Sequence, residues 1–578
     1  MTMRHDDVAE DWPMRPWIMA AICAVAGLLF NWLTNFSYTT GTVSPLRQAG
    51  ATFVAIAAVS FVLTVEQRRW IWALAFALGW GAVIALVGWF SASYNLRPTI
   101  FEWPFLSGVF AVLLAAPLFQ TVRDTSSIGA VWRFPYAKLH SHAWTDAVIG
   151  AASLAFVGVA FLLAWLIAEL FNLIGIDLIM ELMRKGWFEW MLAGFAFGSA
   201  VGLLRERDAL VATLQRLVMV VLGVLAPVLA AALTLFLLSL PFTGLTKLWD
   251  SAVPATPMML LAGAGAILLA NAVIGNGSDE GGEEGRATNR VLRVAALALV
   301  LCVLPLAIIA GLSLGQRIGQ YGWTPERIWG VVAVAIAIAY GIAGWWAVAK
   351  GRRDFDDLLR PLQTKLAIGV CGLALFLALP IVDFGAISTR SQLARLDSGS
   401  VEAAKFDWKA LAFDFGPSGR AALAKIARAA AGDARKLASE ALKSDSPYAV
   451  EQATELEEKT DNLEQYIRIA SPDIRMTDAL RRELARRSYC ESAKQCVLFR
   501  ADPHRLILVS ASGIPAYLGT QVIDERQLSA SSNATSVGAT TNRPSADGID
   551  LDRAQTEVRE VRLKLVYVNG QAVGDPFE

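Results

Sequence analysis

Two polar segments carry the residues of this sequence that are best suited to bind an anion. RIGQYGWTPERIW, at 317–329, lies between two strongly apolar segments, and ISTRSQLARLDSG, at 387–399, follows the last apolar segment. Guanidinium groups bind phosphate and carboxylate through paired hydrogen bonds. We therefore predict that the two segments converge into an anion-binding, headgroup-binding or interdomain cluster. Its members are Arg317, Tyr321, Trp323, Thr324, Glu326, Arg327, Arg390 and Gln392.

The sequence does not decide which of three partners these arginines bind. The partner is a lipid headgroup, a phosphate of an envelope precursor, or an acidic side chain of the chain's own C-terminal region. A simpler interpretation of the first segment is a capped helix start, because Thr324 fits an N-cap, Pro325 the first helical position and Glu326 the first turn. Trp323 and Trp329 would then anchor the helix at the membrane interface.

Two carboxylates recur in the tripeptide Phe-Glu-Trp. Glu102 and Glu189 each lie near the predicted outer mouth of an apolar segment, at comparable depth. Chance or interface preference explains so short a repeat as well as a duplicated unit does. If the chain is an enzyme, Glu102, Glu189 or Glu326 is the predicted general base.

The sequence gives little evidence for a metal site or a cofactor site. His140, His142 and Asp146 form a small cluster, but two His residues beside Lys138 are more typical of a solvated loop than of a metal site. GxSxG, HExxH and Walker motifs do not occur in a suitable setting. We predict no metal and no cofactor.

The composition of the chain is that of a membrane protein. Of the 578 residues, 55% are hydrophobic and 18% are charged, and the mean hydropathy is +0.46, which is too apolar for an ordinary soluble protein of this size. The formal net charge is zero. Binding to a phosphate backbone requires a basic surplus, so nucleic acid is not an expected partner, whereas membrane lipids are.

The long apolar segments predict the elements that position the candidate residues. A bilayer core of roughly 30 Å is crossed by about 20 helical residues, whose backbone satisfies its own hydrogen bonds. The predicted fold class is mainly α, a polytopic transmembrane helix bundle of about 11 spans followed by a small periplasmic α+β domain. The approximate cores of the spans are 16–34, 50–65, 70–90, 103–119, 147–168, 188–204, 217–240, 257–274, 294–314, 328–349 and 366–383.

Charge bias predicts the orientation of the bundle. With the N-terminus inside, the inner connections hold 18 Lys and Arg residues and the outer connections hold seven. Such residues accumulate on the cytoplasmic side. The first span lacks a clear cleavage site and is therefore interpreted as a retained anchor. We predict a cytoplasmic N-terminus and, because the number of spans is odd, a C-terminal region on the outside.

The chain is predicted to contain a transmembrane domain at 1–383 and an extracytoplasmic α+β domain at 384–578. The second domain begins with charged amphipathic segments, which predict helices at 418–444, 448–470 and 475–488. HRLILVSAS and EVREVRLKLVYVNGQAVG then alternate apolar and polar residues, which predicts strands.

Three finer features are predicted in this domain. Asn569 and Gly570 are suited to a hairpin turn, and the Ser/Thr-rich segment near 529–548 is predicted to be a flexible loop. Cys490 and Cys496 are the remaining pair of thiols outside the spans. In an oxidising compartment they would form a disulfide that closes a small loop, worth about 2 kcal/mol. Two unpaired thiols are the alternative.

Three segments resemble the signature stretches of a known family. They are the two polar segments above and FDWKALAFDFGPSGRAAL at 406–423. They look like those of the bacterial polytopic membrane family catalogued as domain of unknown function 4153, and the resemblance covers most of the chain, from the spans through the first helices after them. It implies a multi-pass protein of the bacterial inner membrane. It implies no activity, because the family carries no established catalytic residues to transfer.

Three classes of function follow from these observations. We expect an envelope-associated binding or organising role at the periplasmic face, with membrane lipids, an envelope protein or a lipid-linked ligand as partner. A transporter of a small or lipid-linked substrate is the first alternative, which many spans favour and the lack of charge near the midplane disfavours. The second is a membrane enzyme acting on a phosphate-bearing lipid precursor, with the outer arginines stabilising charge.

The predicted orientation is tested by a reporter that works only in the cytosol. Fused after Glu578, it should stay silent, because an odd number of spans places that residue on the far side of the membrane. The same reporter fused before Met1 should be active and serves as the control. Activity of the fusion at Glu578 would overturn the odd span count.

Overall fold

The structure is a computed structural model of the chain. It describes residues 12–35, 44–93, 98–125, 133–244, 254–277, 289–430, 432–444, 446–461, 463–486, 496–512, 517–527, 564–568 and 571–577. The chain divides into two compact units. The first unit is Met1–Ala394 with Phe413–Gly419, and the second is Arg395–Ala412 with Arg420–Glu578.

Eleven described helices are long and apolar enough to cross a membrane, as predicted. They are α1 Arg15–Thr34, α2 Pro45–Thr64, α3 Trp70–Ser93, α4 Pro98–Thr125, α5 Tyr136–Asn172, α7 Gly186–Glu206, α8 Asp208–Thr243, α9 Ala255–Ile274, α10 Arg290–Tyr321, α11 Pro325–Gly351 and α12 Phe355–Ala378. A short helix, α6 Leu178–Met183, lies between α5 and α7. The chain is therefore a multi-pass membrane protein.

Shorter helices follow the spans. They are α13 Phe384–Asp397, α14 Gly416–Ala429, α15 Gly432–Lys443, α16 Pro447–Asp461, α17 Leu463–Tyr466 and α18 Asp478–Arg486. Single turns of 3-10 helix occur at Arg352–Asp354, Ala403–Lys405 and Glu525–Gln527, and a π-helical turn occurs at Ala410–Asp414.

The spans end at two faces of the bundle. We call the face at which α1 begins the N-terminal face and the face at which α1 ends the opposite face. Arg15, at the start of α1, donates to the carbonyl oxygens of Val65 and Arg205, which lie at the ends of α2 and α7. Helices α5, α8 and α10 contain 37, 36 and 32 residues. At about 1.5 Å per residue they are longer than the hydrocarbon core, so their ends extend beyond it.

Helices α1 and α7 pack with their backbones almost in contact. Helix α7 presents Gly194, Gly198 and Gly202 to α1 at four-residue spacing. A Cβ atom built on Gly198 would lie 2.3 Å from the carbonyl oxygen of Met19, and one built on Gly194 would lie 2.1 Å from that of Cys23. Small residues permit this close approach, which drives helix association in lipid.

Helices α10 and α11 are joined by a hydrogen bond at a proline. Pro305 lacks a backbone N–H, which leaves the carbonyl of Leu301 without its helical donor. The indole Nε1 of Trp345 on α11 donates to that carbonyl at 3.0 Å. Gly341 of α11 lies against α10, since a Cβ there would be 2.7 Å from the Cα atom of Leu304. These contacts fix the register of the pair, and thereby the position of the connection at 322–324.

The turn after α12 holds the first residues of α14. Asp383 accepts the backbone N–H of Ala386 with Oδ1 and the hydroxyl of Ser418 with Oδ2, both at 2.9 Å. Gly385 permits the carbonyl oxygen of Phe415 to approach, because a Cβ atom at Gly385 would lie 2.2 Å from that oxygen. Helix α14 therefore begins beside the end of the last span, within the first unit.

The second unit contains a four-stranded sheet in the order β1-β2-β3-β4. Strand β1 is parallel to β2, and the other neighbours are antiparallel. Leu498, Leu506 and Leu508 of the sheet form a core with Leu480 and Leu484 of α18. The predicted α+β character of this region is confirmed. The strands are β1 Ile467–Ile469, β2 Cys496–Asp502, β3 Arg505–Ser512 and β4 Tyr517–Asp524.

Two predicted helices of this region are wrong in length. The segment 418–444 forms two helices rather than one, because Gly432 adopts a φ of 65°, which a continuous α-helix does not contain. The predicted helix at 448–470 stops before Ile467, because 467–469 pair with β2 as a parallel strand. That pairing is set by a distant segment, so local periodicity does not report it.

The last described strands form a hairpin. Strand β5, Lys564–Val568, pairs antiparallel with β6, Gln571–Phe577. The predicted turn residues Asn569 and Gly570 lie outside the described residues, as does the predicted flexible loop near 529–548.

The contact between α1 and α7 predicts the effect of one added methyl group. Gly198→Ala should lower the free energy of unfolding by about 1–3 kcal/mol, because the new Cβ collides with the backbone of Met19. Gly158→Ala on α5 is the matched control, since nothing lies within 4 Å of a Cβ built there. Thermal unfolding of the protein in detergent compares the two variants. Equal unfolding midpoints would contradict the close packing.

Candidate functional site

The connection between α10 and α11 lies at the opposite face of the bundle and is sharply defined. Helix α10 ends at Tyr321, and Gly322 follows with a φ of 73°, a conformation that favours glycine. Thr324 is the N-cap of α11, since its hydroxyl accepts the backbone N–H of Arg327 at 3.4 Å. The predicted helix-start pattern at Thr324 and Pro325 is therefore present.

Two guanidinium groups lie over the ring of Tyr321. The Cζ atom of Arg327 is 5.6 Å from the ring centroid, and that of Arg317 is 5.9 Å from it, within the range of a cation–π contact. Arg327 also donates from Nη1 to the carbonyl oxygens of Tyr321 at 3.1 Å and of Gly322 at 2.6 Å. Arg327 thus satisfies carbonyl groups at the end of α10, and this role is internal to the fold.

Helix α13 is attached to the same connection by three hydrogen bonds. The amide Nε2 of Gln392 donates to the carbonyl oxygens of Tyr321 at 2.8 Å and Trp323 at 3.0 Å. The backbone N–H of Trp323 donates to the hydroxyl of Ser391 at 3.1 Å. We call Tyr321, Trp323, Ser391 and Gln392 the clasp. It joins the segment that leaves the last span to the α10–α11 connection.

The structure brings six of the eight predicted cluster residues together. Glu326 and Arg390 are the other two, and both side chains are exposed. Neither makes a hydrogen bond or an ion pair with another described residue. The six residues in contact are Arg317, Tyr321, Trp323, Thr324, Arg327 and Gln392.

Aromatic rings extend this cluster across the opposite face. Trp329 of α11 stacks on Trp103 of α4 with ring centroids 6.0 Å apart, and meets Phe384 of α13 edge-on at 5.4 Å. Tyr321 is 50% exposed and Trp323 is 36% exposed. Partly exposed aromatic rings of this kind are typical of the depth at which lipid headgroups lie.

The remaining sequence-predicted residues are not placed in this cluster. Glu189 is exposed in the first turn of α7. The side chain of Glu102 lies outside the described residues, and so does Cys490. Cys496, at the start of β2, is disulfide-bonded. The pairing of Cys490 with Cys496 stays a prediction.

A polar network at the N-terminal face was not predicted. Helices α4 and α5 are joined there by two bonds one helical turn apart. Gln120 Nε2 donates to Asp146 Oδ2 at 2.9 Å, and His142 Nε2 lies 3.1 Å from Asp124 Oδ2. Arg205 at the end of α7 donates to Asp146 Oδ1 at 3.0 Å. Charged and amide residues at four-residue spacing beside span ends were the signal in the sequence.

Arg123 connects this network to the end of α2. It donates to the carbonyl oxygen of Thr64 at 2.5 Å and to Asp124 Oδ1 at 2.8 Å, and it pairs with Glu66. Its side chain is 3% exposed. Because three acceptors surround the buried guanidinium, the cost of burying its charge is offset locally.

A second polar group joins α5, α9 and α12 at the N-terminal face. Asn271 of α9 donates to the hydroxyl of Tyr136 at 3.1 Å and to Gln363 Oε1 at 3.2 Å, and it accepts the indole N–H of Trp144 at 3.2 Å. His140 lies between Tyr136 and Trp144 and is 5% exposed. The expectation that His140 lies in a solvated loop is therefore wrong, because α5 begins at Tyr136 and turns that residue toward α9.

Metal binding has no structural support within the part of the chain that is described. No group of three or more His, Cys, Asp and Glu residues there is arranged to hold a metal ion. His142 contacts a single carboxylate, that of Asp124.

Breaking the network should destabilise the bundle strongly. Asp146→Ala should lower the free energy of unfolding by about 3–5 kcal/mol, because it leaves Arg205 buried without its carboxylate. Combining Asp146→Leu with Arg205→Met should recover part of that loss. The control is Glu402→Ala, which breaks an exposed pair with Lys405 and should cost less than about 1 kcal/mol. Thermal unfolding in detergent measures all three. A small effect of Asp146→Ala would refute the role of this pair.

Comparison with known proteins gives one family match. Residues 51–426 match the family described as Domain of unknown function (DUF4153). This range covers more than half of the chain and includes the clasp, Arg317, Arg327 and the polar network. No curated protein and no solved structure matches the chain. The predicted resemblance is thereby confirmed, and the chain belongs to the DUF4153 family.

Proposed function

We propose that this chain is a protein of the bacterial inner membrane that binds or organises a partner at the periplasmic face. Its N-terminus is then cytoplasmic and its C-terminal domain periplasmic. The odd number of candidate spans and the excess of Lys and Arg in alternate connections support this orientation. The disulfide-bonded state of Cys496 supports it too, because disulfides persist in oxidising compartments.

The observation that carries the proposal is the aromatic–guanidinium cluster beside the clasp. Arg317 is exposed and stacks on the half-exposed ring of Tyr321, and Arg390 is exposed on α13. Arg327 and Gln392 instead use polar groups to hold backbone carbonyls of the connection. We therefore assign Arg317 and Arg390 to ligand binding, and Arg327 and Gln392 to positioning.

The chemistry of the cluster suits a phosphate ligand held at headgroup depth. A guanidinium group offers paired donors to phosphate oxygens. The rings of Trp103, Trp323 and Trp329 provide apolar surface of the kind that lies against the upper part of a lipid chain. A lipid-linked phosphate combines both features in one molecule. An acidic envelope protein is the other partner that this chemistry admits.

A transporter is the second candidate, and the buried pair of Asp146 and Arg205 favours it. Ionisable residues buried among spans mark ion or substrate pathways often enough to count as functional candidates. Arg205 lies in the last turn of α7, however, and Asp146 precedes the apolar core of α5 at 147–168, where Gln120 completes its hydrogen bonding. This arrangement fits a structural tie between span ends better than a carrier site at midplane depth.

The binding proposal is tested by complementation of a depletion strain. We expect Arg317→Gln combined with Arg390→Gln to weaken ligand binding about tenfold, because charged hydrogen bonds are lost. Cells that carry this double variant should show the same change in envelope lipids as cells depleted of the protein. Arg184→Gln combined with Lys185→Gln is the matched control. It removes the same charge from an exposed segment between α6 and α7 and should complement fully.

The three classes give different results in this strain. Normal complementation by the Arg317 and Arg390 double variant, present at normal amounts, would overturn the binding proposal. If folded Asp146→Asn protein fails to complement the strain while the Arg317 and Arg390 double variant complements it, the transporter is favoured. A change in the proteins that co-purify, with an unchanged lipid profile, would favour an envelope protein as the partner.

A further inference from the structure

Helix α14 has one buried apolar face and one exposed basic face. Ala422 and Leu423 are buried, whereas Arg420, Lys425 and Arg428 are exposed. Arg420 uses Nε to bind the carbonyl oxygen of Ala412 at 3.1 Å. The apolar face is already packed, so the exposed face is available for an electrostatic rather than a hydrophobic partner.

The charge of this region is strongly biased. From Gly416 to Ser444 the sequence has six Lys and Arg residues and two carboxylates. The exposed side chains of Lys425, Arg428 and Lys443 make no ion pair with a described residue. A surface whose cations are not neutralised by neighbouring carboxylates attracts anions.

The start of α14 is fixed close to the membrane. Ser418 is hydrogen-bonded to Asp383, which follows the end of α12 by five residues. At about 1.5 Å per helical residue, Lys425 and Arg428 lie no more than about 11 and 15 Å from Ser418 along the helix axis. That reach holds for any direction of the helix. Both cations therefore stay within about two Debye lengths of Ser418 at physiological ionic strength.

We propose that the exposed basic face of α14, with Lys425 and Arg428 as its main contacts, binds anionic phospholipid headgroups of the leaflet at which α12 ends. Charge complementarity selects this partner, because clusters of basic residues next to a span are attracted to anionic lipid. Arg428 offers a planar pair of donors to a phosphate, and Lys425 contributes a mobile point charge. The inference does not depend on the proposed function, since it holds for either orientation of the bundle.

Amide hydrogen exchange of the full chain in lipid nanodiscs tests this inference. Exchange within 420–430 should be at least about fivefold slower in discs containing phosphatidylglycerol than in discs of phosphatidylcholine alone, because one basic residue at an anionic surface gives a change of that size and two contribute here. High salt should remove the difference. Lys425→Gln combined with Arg428→Gln should abolish it as well.

Two further variants make the result specific. Arg482→Gln combined with Arg505→Gln removes the same charge from exposed positions on α18 and β3 and should keep the lipid-dependent protection. Lys425→Arg combined with Arg428→Lys retains the charge and should keep it too, which separates loss of binding from misfolding. Equal exchange in both lipids, or full protection in the Lys425 and Arg428 double variant to Gln, would overturn the proposal and leave the basic face to an acidic protein.

Discussion

Hydrocarbon offers no hydrogen-bonding partner to a peptide group, and this constraint shapes the whole first unit. Every backbone amide that crosses the bilayer must find its acceptor within its own helix, so the chain crosses as long helices. The charged and amide side chains of the polar network and the clasp lie toward the span ends. There they form two different structures, the polar network at the N-terminal face and the clasp at the opposite face.

The two faces use polar groups in different ways. At the N-terminal face, side chains from separate spans pair with each other, as Asp146 does with Gln120 and Arg205. At the opposite face, Arg327 and Gln392 bond to main-chain carbonyls, and aromatic rings fill the space between helices. The first arrangement neutralises its charges internally. The second leaves cations and rings at the surface, which is why the proposed binding role is placed there.

Much of the fold could be predicted from the sequence because hydropathy is a local property. Hydropathy predicts the spans. It also predicts that the two polar segments lie close together, since both segments emerge at the same face. The sequence places Arg390 in the cluster but does not fix the rotation of α13, and in the structure its exposed side chain makes no hydrogen bond or ion pair with a described residue. The partners of Asp146 were not predicted either, since Gln120 and Arg205 lie on two other spans, α4 and α7. The parallel pairing of Ile467 with β2 depends on a distant segment for the same reason.

Pro305 and Trp345 illustrate how two helices can share one backbone defect. The proline opens a carbonyl of α10 to the lipid side, and the indole of Trp345, itself 45% exposed, would otherwise carry an unpaired N–H into the hydrocarbon. Each residue alone would leave a polar group without a hydrogen-bonding partner in an apolar solvent. Together they cancel, so the two residues act as one unit: without the indole the Leu301 carbonyl would lack a donor, and without the proline the indole would have to share that carbonyl with a backbone amide.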